Sequence, residues 1–153
     1  MIYLLAMLIG IVAGLRALTA PAAVSWAAYA GVLPVHGTWL SFLGFWLTPY
    51  ILTVLAAVEF VTDQLPTTPS RKAAVGFGAR IVTGGLSGAA IGTSGGSWLA
   101  GLVAGVVGAV IGTFAGYSFR MWLATAIFHR DRPAAVIEDV IAIGGAALLV
   151  CAA

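Results

Sequence analysis

The feature that most constrains this chain is a series of apolar segments that are each long enough to cross a membrane. A helix needs about 20 residues to cross the hydrocarbon of a bilayer, and five segments reach that length. Because backbone polar groups in lipid must be satisfied within the same helix, the pattern predicts one all-α transmembrane domain of about five helices. The predicted spans are residues 2–30, 39–65, 74–93, 98–128 and 133–152.

The composition favours the same fold class. Hydrophobic residues make up 61% of the 153 residues and charged residues only 8%, whereas soluble domains have roughly 45–50% and about 25%. A soluble fold of this size could not cover so much apolar surface. The net charge is +2 and no basic run is interleaved with aromatic residues. The predicted partner is therefore the lipid bilayer and not nucleic acid, and no cofactor is expected.

The charges of the connecting segments predict an orientation. Residues 66–73 contain Arg71 and Lys72, and residues 129–132 contain Arg130 and Arg132. The other two connections contain no Lys or Arg. Five spans place both basic connections on one side, which the positive-inside rule makes cytosolic. The N-terminus is then predicted inside and the C-terminus outside.

Pro21 predicts a kink in the first helix, because proline lacks the N–H that would bond the carbonyl of Ala17. Arg16 lies nearby, roughly 20 Å along this span, where it must find a carboxylate or a water-filled cavity. Discontinuous transporter helices build binding sites from such freed backbone groups. A structural ion pair is the competing interpretation.

Two glycine stripes predict a tight antiparallel hairpin of the third and fourth helices. Such spacing puts glycines on one helix face, where a neighbouring backbone can approach closely. The four-residue connection SGGS makes the two helices neighbours. Either stripe could instead serve a homo-oligomer interface or line a permeation path. The stripes are Gly84, Gly88, Gly92 and Gly96, then Gly101, Gly105, Gly108, Gly112 and Gly116.

Ionisable residues inside the apolar segments are the candidate site. Each costs roughly 2.5–3.5 kcal/mol at mid-helix, and the near balance of positive and negative charges favours mutual pairing. Arg120 can reach the interface with its long side chain. The remaining six are the predicted ligand- or ion-binding residues: Arg16, Glu59, Asp63, Arg80, Glu138 and Asp139.

The acidic residues are compatible with more than one ligand. Glu59 and Asp63 share a helix face at i, i+4, where two carboxylates repel unless a proton, cation or arginine lies between them. Together with Glu138 they could hold a hard divalent cation. His36 and His129 lie in connections on opposite predicted sides, so no histidine metal cluster is expected.

Three stretches of the chain form a recognisable combination: GLRALTAPAAVSW at 14–26, EFVTDQLPTTPSR at 59–71 continuing to GARIVTGGLSGAA at 78–90, and AVIEDVIAIGGA at 135–146. Together they resemble the bacterial membrane family catalogued as domain of unknown function 4126. The resemblance implies a multi-pass protein of the bacterial inner membrane, and it implies no activity. The family's recurring polar positions correspond to the same six residues that the cost of burying charge selects.

Three functions are compatible with these features. The leading hypothesis is a small transporter or channel with a cytosol-facing charged cavity that binds a proton, a cation or a small anion. The second is a structural or lipid-binding membrane module whose charges pair with one another. The third, a metal-dependent lipid-modifying enzyme, is least favoured because no nucleophile or base accompanies the acids.

Overall fold

A computed structural model describes residues 1–62, 74–122, 125 and 131–153 of the protein. These residues form helices and turns and contain no strand, which confirms the all-α prediction. A short 3₁₀ helix, Ser41–Gly44, lies between the second and third α-helices. The α-helices are α1 (Ile2–Leu15), α2 (Thr19–Tyr29), α3 (Thr48–Thr62), α4 (Ala74–Ser94), α5 (Trp98–Trp122) and α6 (Asp131–Cys151).

The last three predicted segments each correspond to one helix, but the second is shorter than predicted. The prediction had one helix over 39–65, whereas α3 starts only at Thr48. Pro49 occupies its first turn, where a missing N–H leaves no helical hydrogen bond unmade. The fourth segment was predicted to reach residue 128; α5 is described over Trp98–Trp122, and residues 123, 124 and 126–128 lie outside the described residues.

Helices α4 and α5 pack backbone against backbone through their glycines. A Cβ added at Gly88 would overlap the backbone of Gly101 and Gly105, and one at Gly92 would overlap Gly101 and Ser97. Residues early in α5 thus face residues late in α4, so the two helices are antiparallel. Gly96 turns the chain between them with a φ of +81°. Such contacts supply the short-range attraction that holds apolar helices together.

Helix α1 packs on the other side of α5, and the two run in the same direction. Gly108 contacts the backbone of Met7, and Gly112 contacts that of Ile11. At the start of α1, the Tyr3 hydroxyl donates a hydrogen bond of 2.9 Å to the carbonyl of Gly95. Gly101 and Gly105 of α5 therefore contact α4, Gly108 and Gly112 contact α1, and Gly105 also contacts Gly10 of α1. These contacts all lie within one chain.

These contacts define two ends of the bundle. The tryptophan end holds Tyr3, Gly95 and Trp98, whose ring lies 5.7 Å from that of Trp39 in the α2–α3 connection. The arginine end is the opposite one, where α1 ends and where α4 begins. Helix α6 runs from the arginine end, because Asp139 contacts Arg16 and Gly145 lies against Val12.

Helix α2 returns from the arginine end to the tryptophan end. It is antiparallel to α3: the backbone at Ala17 bonds Glu59, whereas the Trp26 indole bonds Thr53 at 3.0 Å. The chain after α2 then reaches Trp39 at the tryptophan end. Helices α1 and α2 are therefore a helical hairpin whose turn is Arg16–Leu18.

The prediction of one kinked helix over residues 2–30 is wrong, because this stretch forms two antiparallel helices. The chain reverses at Arg16–Leu18, just before Pro21, instead of bending and continuing. Pro21 lies in the first turn of α2, where no preceding helical turn provides a carbonyl with which its ring would clash. The start of α1 consequently lies at the end opposite to the helix ends that flank residues 63–73, whereas the single-span prediction placed them together.

Large apolar side chains cover much of the outer surface. Val54, Val61, Val140 and Leu148 are each more than 60% exposed, and they belong to α3 and α6. One helical stretch among the described residues, Trp98–Phe119, is 22 residues long and apolar enough to cross a membrane. Helices α1 and α3 are apolar but shorter.

Candidate functional site

The turn of the α1–α2 hairpin presents backbone donors that no helix satisfies. The Arg16 N–H still bonds the Val12 carbonyl at 2.8 Å, but Arg16 itself adopts an extended conformation and ends α1. The next two N–H groups, of Ala17 and Leu18, precede α2 and have no helical carbonyl to reach. A side chain from another helix must supply the acceptor.

Glu59 of α3 supplies it. One carboxylate oxygen accepts the Ala17 N–H at 2.8 Å, and the other accepts the Leu18 N–H at 2.8 Å. Hydrogen bonds from N–H groups to a carboxylate are among the stronger ones in proteins, and a negative charge also suits the N-terminus of α2. Glu59 therefore fixes the hairpin turn to α3.

The Arg16 side chain is fully buried beside this turn, with 0% of its surface exposed. Its Nε donates to Asp139 Oδ1 at 2.7 Å, and its Nη2 lies 2.5 Å from the same oxygen. The guanidinium carbon also lies 5.2 Å from the centre of the Phe60 ring, at the distance of a cation–π contact. A buried charge is tolerated when it is paired in this way.

The hairpin explains why Arg16 meets the acids. The sequence placed Arg16 about 20 Å along a single span that starts on the cytosolic side, whereas Glu59 and Asp139 were expected within about two turns of that same side. Because α1 starts at the tryptophan end, the same distance along the helix brings Arg16 to the arginine end. Because of this one chain reversal, the hairpin turn after α1, helix α3 and helix α6 all contribute residues to a single charged cluster.

The six predicted site residues divide into three groups. Arg16, Glu59 and Asp139 form one connected cluster around the hairpin turn. Arg80 and Glu138 are buried at the same end, and Arg80 Nη1 makes a long hydrogen bond of 3.4 Å to the Gly76 carbonyl. Asp63 lies outside the described residues.

Sequence analysis missed the backbone part of the site. The N–H groups of Ala17 and Leu18 are its donors, and Phe60 supplies the aromatic face. Pro21 signalled that the helix breaks nearby, but it did not show which acid would reach the freed donors. The position of Phe60 next to Glu59 was the available signal for the aromatic contact.

A metal site finds no support in the part of the chain that is described. Across residues 1–62, 74–122, 125 and 131–153, no three His, Cys, Asp or Glu side chains are grouped so that they could hold a metal ion. Glu59 already uses both carboxylate oxygens as acceptors for backbone N–H groups. The cluster instead combines one cation, two anions and two backbone donors.

Comparison of the chain with protein-family models, with curated proteins and with solved structures gave no match. The resemblance to the membrane family named above therefore stays a prediction.

Proposed function

We propose that this chain is a small multi-pass protein of the bacterial inner membrane that moves an ion or a small charged solute through the site at its hairpin turn. The membrane assignment is supported by the apolar outer surface of α3, α5 and α6, because soluble monomers rarely expose apolar patches so extensive. It is also supported by the low share of charged residues, 8%.

In this proposal α1 and α2 form a hairpin that starts on the outer side and turns at the arginine end, and α3 to α6 cross the bilayer. The basic segments 66–73 and 129–132 follow α3 and α5, which both end at the arginine end. The positive-inside rule then makes the arginine end cytosolic. Met1 and Cys151 both face the outer side, because α1 starts and α6 ends towards the tryptophan end.

The observation that carries the transport proposal is the hairpin turn itself. Non-helical backbone is tolerated at membrane depth only where it is buried in protein or lines a water-filled cavity. Here it is held by Glu59 and lies beside the Arg16–Asp139 pair. Interrupted helices with charged groups at their ends are how secondary transporters bind their substrates and coupling ions.

Flux into proteoliposomes tests this function. Vesicles with the purified protein are compared with empty vesicles for H⁺, Na⁺, K⁺, chloride and phosphate, each under an imposed gradient. We expect flux of at least one of these ions, reduced in Glu59→Gln and retained in Tyr3→Phe, whose substitution lies at the other end. Folded protein that moves none of them faster than empty vesicles would contradict the proposal.

A structural or lipid-binding module is the second candidate, and the burial of Arg16 favours it. The guanidinium is 0% exposed and the Asp139 side chain only 13% exposed, so the pair is nearly closed to water. In a purely structural role, the double variant Arg16→Met/Asp139→Leu keeps the fold and every function of the protein in cells. In a transport role, the double variant folds but loses flux.

A further inference from the structure

We infer that Glu59 is a proton-operated latch: binding of one proton to its carboxylate releases the α1–α2 hairpin turn from α3. The inference deepens the proposed transport function by naming the proton as the coupling ion, and it rests on that function. It starts from the two hydrogen bonds of 2.8 Å that join Glu59 to the backbone of Ala17 and Leu18.

The two hydrogen bonds require the ionised carboxylate. An ionised carboxylate only accepts hydrogen bonds, and here each oxygen accepts one N–H. A protonated carboxyl carries an O–H donor on one oxygen, which would then face a backbone N–H donor. At most one of the two bonds persists at full strength, so the other backbone N–H loses its acceptor.

The loss matters because these two hydrogen bonds join the backbone of the turn directly to α3. Glu59 lies three residues before the end of α3 and is only partly buried. In the proposed topology this end faces the cytosol, so a proton can reach the carboxylate. Release of the turn separates Arg16 from the Phe60 ring and opens the Arg16–Asp139 pair to water.

Four other charged residues of the described structure lie at the arginine end with Glu59. Arg16 comes from the hairpin turn, Arg80 from α4, and Glu138 and Asp139 from α6. Asp139 engages Arg16 directly, so the charge of Arg16 is compensated without Glu59. A proton on Glu59 therefore does not leave the buried arginine without a counter-ion. The charge balance of the Arg16–Asp139 pair therefore does not depend on the charge of Glu59.

Amide hydrogen exchange at the turn tests the latch without measuring transport. Wild-type protein in lipid nanodiscs is exchanged from neutral to acidic pH, and the rates of the peptide that contains Ala17 and Leu18 are corrected for intrinsic exchange. Infrared spectroscopy follows the carbonyl band of the protonated carboxyl, assigned by its loss in Glu59→Gln. We expect protection at the turn to fall about tenfold or more as that band appears, the factor for losing a charge-assisted hydrogen bond.

Three variants complete the test. Glu59→Gln should show low protection at every pH, and Tyr3→Phe should keep the wild-type response. Glu59→Asp keeps a carboxylate on a shorter side chain and should keep the pH response from a lower starting protection, which covers the case in which Glu59→Gln does not fold. Turn amides that stay protected while the Glu59 band appears would overturn the latch.

The outcomes also separate the latch from the transport function. If the turn loses protection when Glu59 binds a proton but the protein shows no flux, the latch is retained and the transport function is rejected. Flux in a protein whose turn stays protected at every pH retains transport and rejects the latch.

Discussion

Asp139 Oδ1 lies 2.7 Å from Nε and 2.5 Å from Nη2 of Arg16, although the two residues are 123 positions apart in the chain. This pair joins the hairpin turn to α6, and Glu59 joins the same turn to α3. Two acids from different helices therefore have different roles. Asp139 pairs with the Arg16 guanidinium, and Glu59 accepts the hydrogen bonds of the backbone N–H groups in the turn.

The first prediction concerns the Arg16–Asp139 pair. Asp139→Asn removes the carboxylate charge that contacts the buried Arg16 guanidinium and should destabilise the fold by about 3–5 kcal/mol. The double variant Arg16→Met/Asp139→Leu removes both charges and should recover most of that loss. Unfolding in mixed detergent micelles measures the free energies. Additive losses from Arg16→Met and Asp139→Leu would contradict a direct pair.

The second prediction concerns the glycine contacts between α4 and α5. Gly88→Ala adds a methyl group where the backbone of Gly101 and Gly105 already lies, so the helices must separate. We expect a loss of about 1–3 kcal/mol, the usual cost of overpacking a well-packed core.

Gly144→Ala is the matched control for that substitution. Gly144 lies within α6 with open space around its added Cβ, and alanine is the better helix former by about 1 kcal/mol. Its stability should be unchanged or slightly higher. Thermal unfolding of both variants in the same detergent checks the contrast, and equal losses would show that steric contact is not the cause.

The third prediction concerns the sides of the membrane. In the proposed arrangement a tag before Met1 and the exposed Cys151 lie on the same, outer side. A single kinked first span would put them on opposite sides. Labelling of Cys151 by a membrane-impermeant maleimide in intact spheroplasts, with protease access to the tag, distinguishes the two. A tag cleaved only after lysis, with Cys151 labelled beforehand, would reject the hairpin topology.

The fourth prediction concerns the aromatic face beside Arg16. Phe60→Leu keeps an apolar side chain of similar bulk but removes the ring that lies 5.2 Å from the guanidinium carbon. We expect a loss of about 0.5–2 kcal/mol when Arg16 is present and a much smaller one in the Arg16→Met/Asp139→Leu background. Denaturation midpoints of the four combinations give this coupling, and equal losses in both backgrounds would argue against a cation–π contact.

Local patterns in the sequence predicted several elements well. The third segment, 74–93, corresponds to α4, Ala74–Ser94, because a mostly apolar stretch without proline ends at the glycine turn that follows it. The insertion-cost argument also selected Arg16, Glu59 and Asp139, which lie together around the hairpin turn. Both results depend on properties that are carried by short stretches of chain.

The first predicted helix shows a feature that local sequence patterns do not determine, namely the direction of the chain after Pro21. Pro21 predicted an interruption, but a kink and a reversal require the same missing N–H and the same ring, so the two cannot be told apart from the sequence. The direction of α2 is decided by contacts with distant residues: Glu59 holds the turn, and Thr53 receives the Trp26 indole.

The sequence by itself determined that this chain is built of apolar helices, that glycines bring some of them close, and that a few buried charges must find one another. These conclusions follow from the cost of placing polar groups in apolar surroundings. That cost depends on the residues of each segment and not on its partners. Only the tertiary structure decided that α1 and α2 form a hairpin and that Arg16 pairs with Asp139 while Glu59 binds the backbone. Such choices depend on packing between residues far apart in the chain, where several pairings satisfy the same charges and only one fits the shapes of the helices.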